Sequence, residues 1–295
     1  MKDYIKIFEE YLTVEKKASK NTFESYMRDI LQFASYCASA NHQDLALLTA
    51  ADIDSYFKYL SLIGKSDATK NRVAASLRCY YKVLISKKLT NESPLDNIKI
   101  KKVEKKLPEV LNANEIVLLL SQPSGSDYKS IRDKAMLELL YATGIRVSEI
   151  IELKISDVNL QVGILHLKQG GKERIIPIYP AAVKSIAQYL VNVRPAIVLD
   201  DRQDRLFTNM SGEAMSRQGF WKIIKHYSET AGIKKDITPH TLRHSFAAHL
   251  LENGAKLSDI KEMLGHSDIS STQIYAQLIK SKYTSAYAKY HPMAK

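Results

Sequence analysis

The chain has 295 residues, 45% of them hydrophobic, with 43 Lys and Arg against 32 Asp and Glu for a formal net charge of +11. That length exceeds what one hydrophobic core ordinarily fills, so two domains are expected. No apolar run approaches the roughly 18 residues of a membrane span and no signal peptide opens the sequence, which points to the cytoplasm and away from membrane and secreted classes. The two cysteines, Cys37 and Cys79, have neither metal nor redox spacing and read as reduced core thiols.

In chain order, residues 2–16 place Tyr4, Ile7, Phe8, Tyr11 and Leu12 at helical spacing. Ser19 can cap a second helix, 20–38, with Tyr26, Ile30, Phe33 and Cys37 inward. Thr49 with Asp52 starts a third, 50–62, and Ser66 opens a fourth, 67–87, carrying Val73, Leu77, Tyr80, Tyr81 and Leu84. Four helices make an all-α unit over 1–88. Lys70, Asn71, Arg72 and Arg78 share a polar side of the fourth helix, a face able to donate to phosphates; a merely solvated face is an equal reading for any one of them. Residues 89–108, with Pro94, Lys99, Lys101, Lys102, Lys105, Lys106 and Pro108, read as an exposed basic strap.

Beyond the strap, Asn112 and Glu115 open a helix over 113–121, and an apolar helix over 130–142 ends at Thr143-Gly144. Arg146 then heads a new helix beginning at Val147, and Glu149, three residues on, can orient its guanidinium. A β-hairpin follows, with strands 163–167 and 174–178 around the turn-rich pentad Lys168-Gln169-Gly170-Gly171-Lys172. Ser216 opens an amphipathic helix to residue 230, with Trp221 read as core and Arg217, Gln218 and Lys222 as candidate ligand contacts on the outer face. Thr238 caps and Pro239 starts a helix that sets His240 and Arg243 on one face. Gly254 ends it, Gly265 ends a shorter one and delivers His266, and Tyr275 follows nine residues later. Residues 279–290 read as a last, lysine- and tyrosine-rich helix.

Paired arginines clamp phosphate oxygens, imidazoles donate or accept protons near neutral pH, and a tyrosine can attack a phosphate so neutralised. His240 and His244 also stand at a zinc-compatible spacing, but Arg243 lies between them, no glutamate follows His240 and no third ligand is near. Without a carboxylate cluster for magnesium, the set describes metal-free transesterification at a phosphodiester. Residues 1–107 hold 19 basic and 13 acidic side chains and the remainder 24 and 19, so the basic excess is divided between the halves, as in two faces closing on one polyanion.

The joint pattern His240-x-x-Arg243, Leu264-Gly265-His266 and Tyr275, with Tyr-Ala-Thr-Gly-Ile-Arg-Val-Ser-Glu at 141–149, resembles the tyrosine recombinase/integrase family, and the Xer branch most. The resemblance runs over essentially the whole chain. It implies a mainly α fold: a four-helix, SAM-like core-binding domain over 1–88, a basic linker over 89–108, and an α-rich catalytic domain with a small antiparallel sheet over 109–295, whose C-terminal segment docks on a neighbouring protomer. It implies Arg146, Lys168, His240, Arg243, His266 and the nucleophile Tyr275 as catalytic residues, Glu149 in support, and Lys70, Arg72, Arg78, Arg217 and Gln218 on DNA. The hairpin turn is one residue shorter than the commonest Xer form and closer to phage integrases, which favours Lys168 as the general acid, with Lys172 the alternative. No metal, ATP or other cofactor is implied. The implied partners are a duplex recombination site, a homo- or hetero-tetramer with a related recombinase on two duplexes, and a division-linked DNA translocase, in the resolution of chromosome dimers. The absence of an arm-binding domain before residue 1 favours the chromosomal role over a mobile-element integrase. A catalytically idle DNA-binding regulator and a type IB topoisomerase-like enzyme are the other readings.

Overall fold

The structure is a computed structural model, and it describes residues 2–42, 44–96, 98, 107–169, 172–200, 202–266, 268, 269 and 271–278. The chain divides into two compact units, 1–105 and 106–295. The strap residues 99–106, the hairpin tip 170–171 and the expected helix over 279–290 lie outside the described residues.

The first unit holds α1 (Lys2–Glu10), α2 (Lys20–Ser39), α3 (Ala50–Leu62) and α4 (Asp67–Ser86). Local chemistry sets the starts: Ser19 and Ser66 accept from the backbone N–H three residues on, and Thr49 and Asp52 form a reciprocal capping box. The helix expected over 2–16 instead widens after Glu10 into a π turn, Tyr11–Glu15, in which Leu12 stays buried. Phe8, Ile30, Phe33, Ile53, Tyr56, Leu77 and Tyr80 make the core. Cys37 is part of it, and Cys79, half-buried, packs against its edge with the Lys16 ammonium 3.3 Å from its sulfur.

In the second unit α5 (Ala113–Ser121) leads to α6 (Tyr128–Thr143), whose Ala135, Met136, Leu137, Leu139 and Leu140 are buried around its circumference. Packing by α8 (Pro180–Asn192) and α11 (Pro239–Glu252) encloses it. Each large side chain so buried contributes about 1.5–3 kcal/mol. After α7 (Val147–Glu152), three antiparallel strands run in the order β1 (Val158–Asn159), β2 (Ile164–Gln169), β3 (Lys172–Pro177). The ladder continues through Lys168↔Glu173 to Gln169↔Lys172, so both lysines of the expected pentad belong to strands. Leu165, Leu167 and Ile176 face the core, which puts Lys168 and Glu173 on the opposite, outward side. The remaining helices are α9 (Arg194–Ile197), α10 (Arg217–Thr230), α12 (Leu257–Leu264) and just over two turns more across 271–278.

Candidate active site

Two helix ends build the arginine pair. Gly144 ends α6 in the left-handed conformation (φ 57°), and Gly265 ends α12 the same way (φ 64°). Both terminal turns leave carbonyls without helical partners, carrying the negative end of the helix dipole. Arg243, on α11, donates to Gly144 O at 2.6 Å and to Leu264 O at 2.7 Å. Arg146, at the N-cap of α7, donates to Gly265 O at 3.2 Å and to Glu149 Oε1 at 2.9 Å. Burial, with Arg146 nearby, pulls Arg243 down to about 10, so it remains a cation at neutral pH. A Cβ on Gly144 would stand 2.3 Å from the Phe246 ring, so the turn that aims this carbonyl requires glycine.

Glu149 is the buried counter-charge. Its Oε2 accepts the Arg146 backbone N–H at 2.7 Å and meets Arg174 of β3 as an ion pair at 2.8 Å. Burial pushes the carboxyl up, but Arg174 and Arg146 outweigh it and hold the group below the usual carboxylate range. Arg174 also donates to Met263 O at 3.0 Å, tying β3 to α12.

The C-terminal turn of α12 delivers His266 between Arg243 and Thr272. A guanidinium only donates, so His266 Nε2 accepts from Arg243 at 3.0 Å. The proton of the neutral ring then sits on Nδ1 and is donated to Thr272 Oγ1 at 3.0 Å. Burial and the adjacent Arg243 lower the imidazole to about 4, so the ring is neutral at physiological pH. Arg146, Arg174, Lys261, Gly265, His266 and Ser271 line an open cavity of about 600 Å³, with Glu173 and Glu262 among its other walls. It is a cationic recess suited to a phosphodiester.

Of the residues singled out by sequence, Arg146 and His266 stand in the wall of this recess, and Arg243, buried, is bonded to His266 beside it. His240 stands on the exposed first turn of α11, its ring 6.4 Å from that of His244. Tyr275, on the 271–278 helix, is 1% exposed and packs on Phe246, Ala247, Ile260 and Leu264. Its hydroxyl lies 2.9 Å from His244 Nδ1. Lys168 is not at the recess; it points outward and pairs with Glu173 at 2.9 Å.

Residues 109–282 match the phage integrase family and residues 5–88 its N-terminal SAM-like domain. The chain is 43% identical over 289 residues to the tyrosine recombinase XerD of Halalkalibacterium halodurans, covering 97% of each chain. It is 43% identical over 297 residues to XerD of Listeria innocua, covering 100% of both. This chain belongs to the phage integrase family. Within it, the chain is a XerD-like tyrosine recombinase, an enzyme of site-specific DNA recombination. Among solved structures it is similar to the XerH recombinase bound to its difH substrate after cleavage, at a TM-score of 0.76 and 23% identity over 92% of this chain and 81% of that one. A lambda integrase dimer on a core site gives 0.72 at 18% identity over 93% and 94%. These two likenesses establish the fold.

The recombinase's candidate DNA contacts differ in how free they are. Arg217 and Gln218 are exposed on the first turn of α10. Lys70 pairs with Asp67 at 2.7 Å and donates to Ser61, and Arg78 reaches Ile98 O at 3.4 Å. Arg72 is held by Asp29, itself 1% exposed, at 2.7 Å. Trp221, read as core, is 38% exposed with the Lys225 ammonium 5.1 Å over its ring. The buried stripe of α10 is Phe220, Ile223, Ile224 and Tyr227, and position 221 lies one step outside it. Sequence reasoning missed Arg174 and Thr272 and weighed His244 only as a zinc ligand. A charged Arg174 at a core-facing strand position, beside Ile176, was the available signal.

Proposed function

We propose that Tyr275 attacks the scissile phosphate of a recombination site, forming a 3′-phosphotyrosyl bond and releasing a 5′-hydroxyl. Arg146 and Arg243 stabilise the charge that develops on the non-bridging oxygens, and His240 and His266 assist by hydrogen bonding and proton transfer. Lys168 protonates the departing 5′-oxygen once its ammonium leaves Glu173. The 5′-hydroxyl of the partner strand then attacks the phosphotyrosine, restoring the tyrosine; one phosphoester replaces another, so no ATP is consumed. The observation that carries this reading is that helix-end carbonyls and Thr272 fix Arg146 and a neutral His266 in the wall of one recess, with the buried Arg243 bonded to that imidazole, a preorganised anion site one helix from a tyrosine.

Full-length similarity to XerD supports a chromosomal role, the resolution of dimers at cell division in the cytoplasm, by four protomers of this chain alone or with a related recombinase on two duplexes. A division-linked DNA translocase is the further partner, and the basic balance of both halves supports a domain pair, 1–88 and 109–295 joined by a basic linker, that closes on DNA. No described helix is long and apolar enough to cross a membrane. The test is a nicked suicide duplex: the wild type is trapped as a covalent adduct that maps to Tyr275, and Tyr275→Phe binds the duplex but forms none. An adduct on another tyrosine overturns the assignment.

A further inference from the structure

The nucleophile assigned above is held by a residue outside the phosphate recess. Tyr275 is buried, and a phosphodiester in duplex DNA cannot reach a phenol enclosed by Phe246, Ala247, Ile260 and Leu264. The described N–H groups that could polarise its oxygen are turned elsewhere. Arg243 donates to Gly144 O, Leu264 O and His266; Arg146 donates to Glu149 and Gly265 O. Tyr275 is not among the residues lining the recess. Its one polar contact among the described residues is His244 Nδ1 at 2.9 Å, with ring centroids 5.6 Å apart.

That contact has a definite sense. Burial, with His240 and Arg243 close by, lowers the His244 imidazole to about 4, while burial raises the Tyr275 phenol. The phenol therefore keeps its proton and donates it to a neutral nitrogen; a base so weak does not remove it. On α11, His244 is one residue from Arg243 and so is turned about 100° around the helix axis. One helix thus presents a phosphate clamp on one side and an acceptor for the tyrosine on another.

We propose that His244 is a positioning residue that stores the nucleophile: it holds the Tyr275 hydroxyl, protonated and sheltered, and release of that hydroxyl from Nδ1 precedes attack on DNA. This rests on Tyr275 being the nucleophile. The same side chain satisfies a buried tyrosine hydroxyl without engaging either guanidinium.

The test uses the full chain without DNA. Nitration by tetranitromethane, followed by peptide mapping, reports exposure of each tyrosine. In the wild type Tyr275 reacts as slowly as the buried Tyr56 and Tyr189. His244→Phe fills the space but removes the acceptor, and Tyr275 nitration rises about tenfold, the population change expected from one lost hydrogen bond of ordinary strength. Tyr56 and Tyr189 stay unreactive. His244→Asn, whose amide oxygen can sit near the Nδ1 position, returns Tyr275 to the wild-type rate. If His244→Phe does not fold, His244→Leu carries the same comparison. An unchanged Tyr275 rate in the apolar variant, a parallel rise at all three tyrosines, or no rescue by Asn overturns the proposal. Covalent trapping by Tyr275→Phe overturns the nucleophile assignment instead, and leaves the nitration pattern to be read as a structural contact alone.

Discussion

Arg174 reaches from β3 to Glu149 on α7 at 2.8 Å, and the same carboxylate holds Arg146 through its other oxygen at 2.9 Å. Because Arg174 also donates to Met263 O, one ion-pair network fixes the strand bearing the hairpin, the helix bearing the first arginine and the helix that delivers His266. The site is rigid by construction, which electrostatic stabilisation of a transition state requires.

Removing the shared charge should therefore disturb more than one residue. Glu149→Gln leaves two arginines without their counter-ion and should cost about 2–4 kcal/mol in urea unfolding, with cleavage down on the order of 100-fold. The folded-state carboxyl is depressed below its unfolded value, so its stabilisation is complete above an ordinary carboxylate pKa of about 4.3. It is lost as pH falls through the depressed value. The stability gap between wild type and Glu149→Gln should thus be constant near neutrality and close on acidification. A gap that widened in acid would contradict the ion-pair account.

Two glycines with similar backbone angles should behave differently. Gly265 (φ 64°) would bring a Cβ to 2.7 Å from Arg174 Nη1, whereas Gly254 (φ 92°) has nothing within 4 Å of that position. Alanine at either costs about 1 kcal/mol in backbone strain. Gly265→Ala should in addition shift Arg174 and the carbonyl held by Arg146, with cleavage falling at least tenfold; Gly254→Ala should keep its cleavage rate. Equal cleavage losses in a suicide-substrate assay would rule out the steric difference as the cause.

Several of these relationships were open to sequence reasoning and others were not, for a physical reason. Caps at Ser19, Thr49, Asn112 and Thr238 act over three residues, as does Arg146 with Glu149, so spacing alone reveals them. The contact between His244 and Tyr275 joins residues 31 apart, and Leu111 N–H to Ser245 joins residues 134 apart; no local pattern encodes either. Trp221 was misplaced because a large aromatic outweighed its position one step off the buried stripe. The hairpin lysines were placed in a turn because glycines at 170 and 171 dominate the composition, whereas ladder pairing extends the strands up to them.

The candidate DNA contacts should separate into structural and binding residues. Arg72 neutralises Asp29, which also accepts from Ser76 at 2.7 Å. Arg72→Ala strands a buried carboxylate and should lower stability by about 3 kcal/mol. Arg217, exposed on α10, should do the reverse: Arg217→Ala should leave the urea midpoint unchanged and reduce the slope of log K against log salt by about one unit. Loss of stability at Arg217, or none at Arg72, would reverse the assignment.

The last prediction concerns the general acid. Cleavage leaves a 5′-oxygen that must be protonated, and a lysine can do this only if its ammonium is brought to the bridging oxygen. Lys168 points outward, 66% exposed and 2.9 Å from Glu173, so it must exchange that carboxylate for DNA. Proximity of Glu173 to the recess makes the exchange a short-range one, since Glu173 lines the cavity that Lys168 does not. Lys168→Ala should therefore lose most cleavage on a normal 5′-oxygen duplex and recover on a 5′-bridging phosphorothiolate, whose leaving group needs no proton. Glu173→Gln, which frees the ammonium, should cleave the normal substrate at least as fast as the wild type. Lys172→Ala should weaken binding modestly and show no thiolate rescue. Rescue that follows Lys172 instead would place the acid at the second lysine, and Lys168 would then be a surface partner of Glu173.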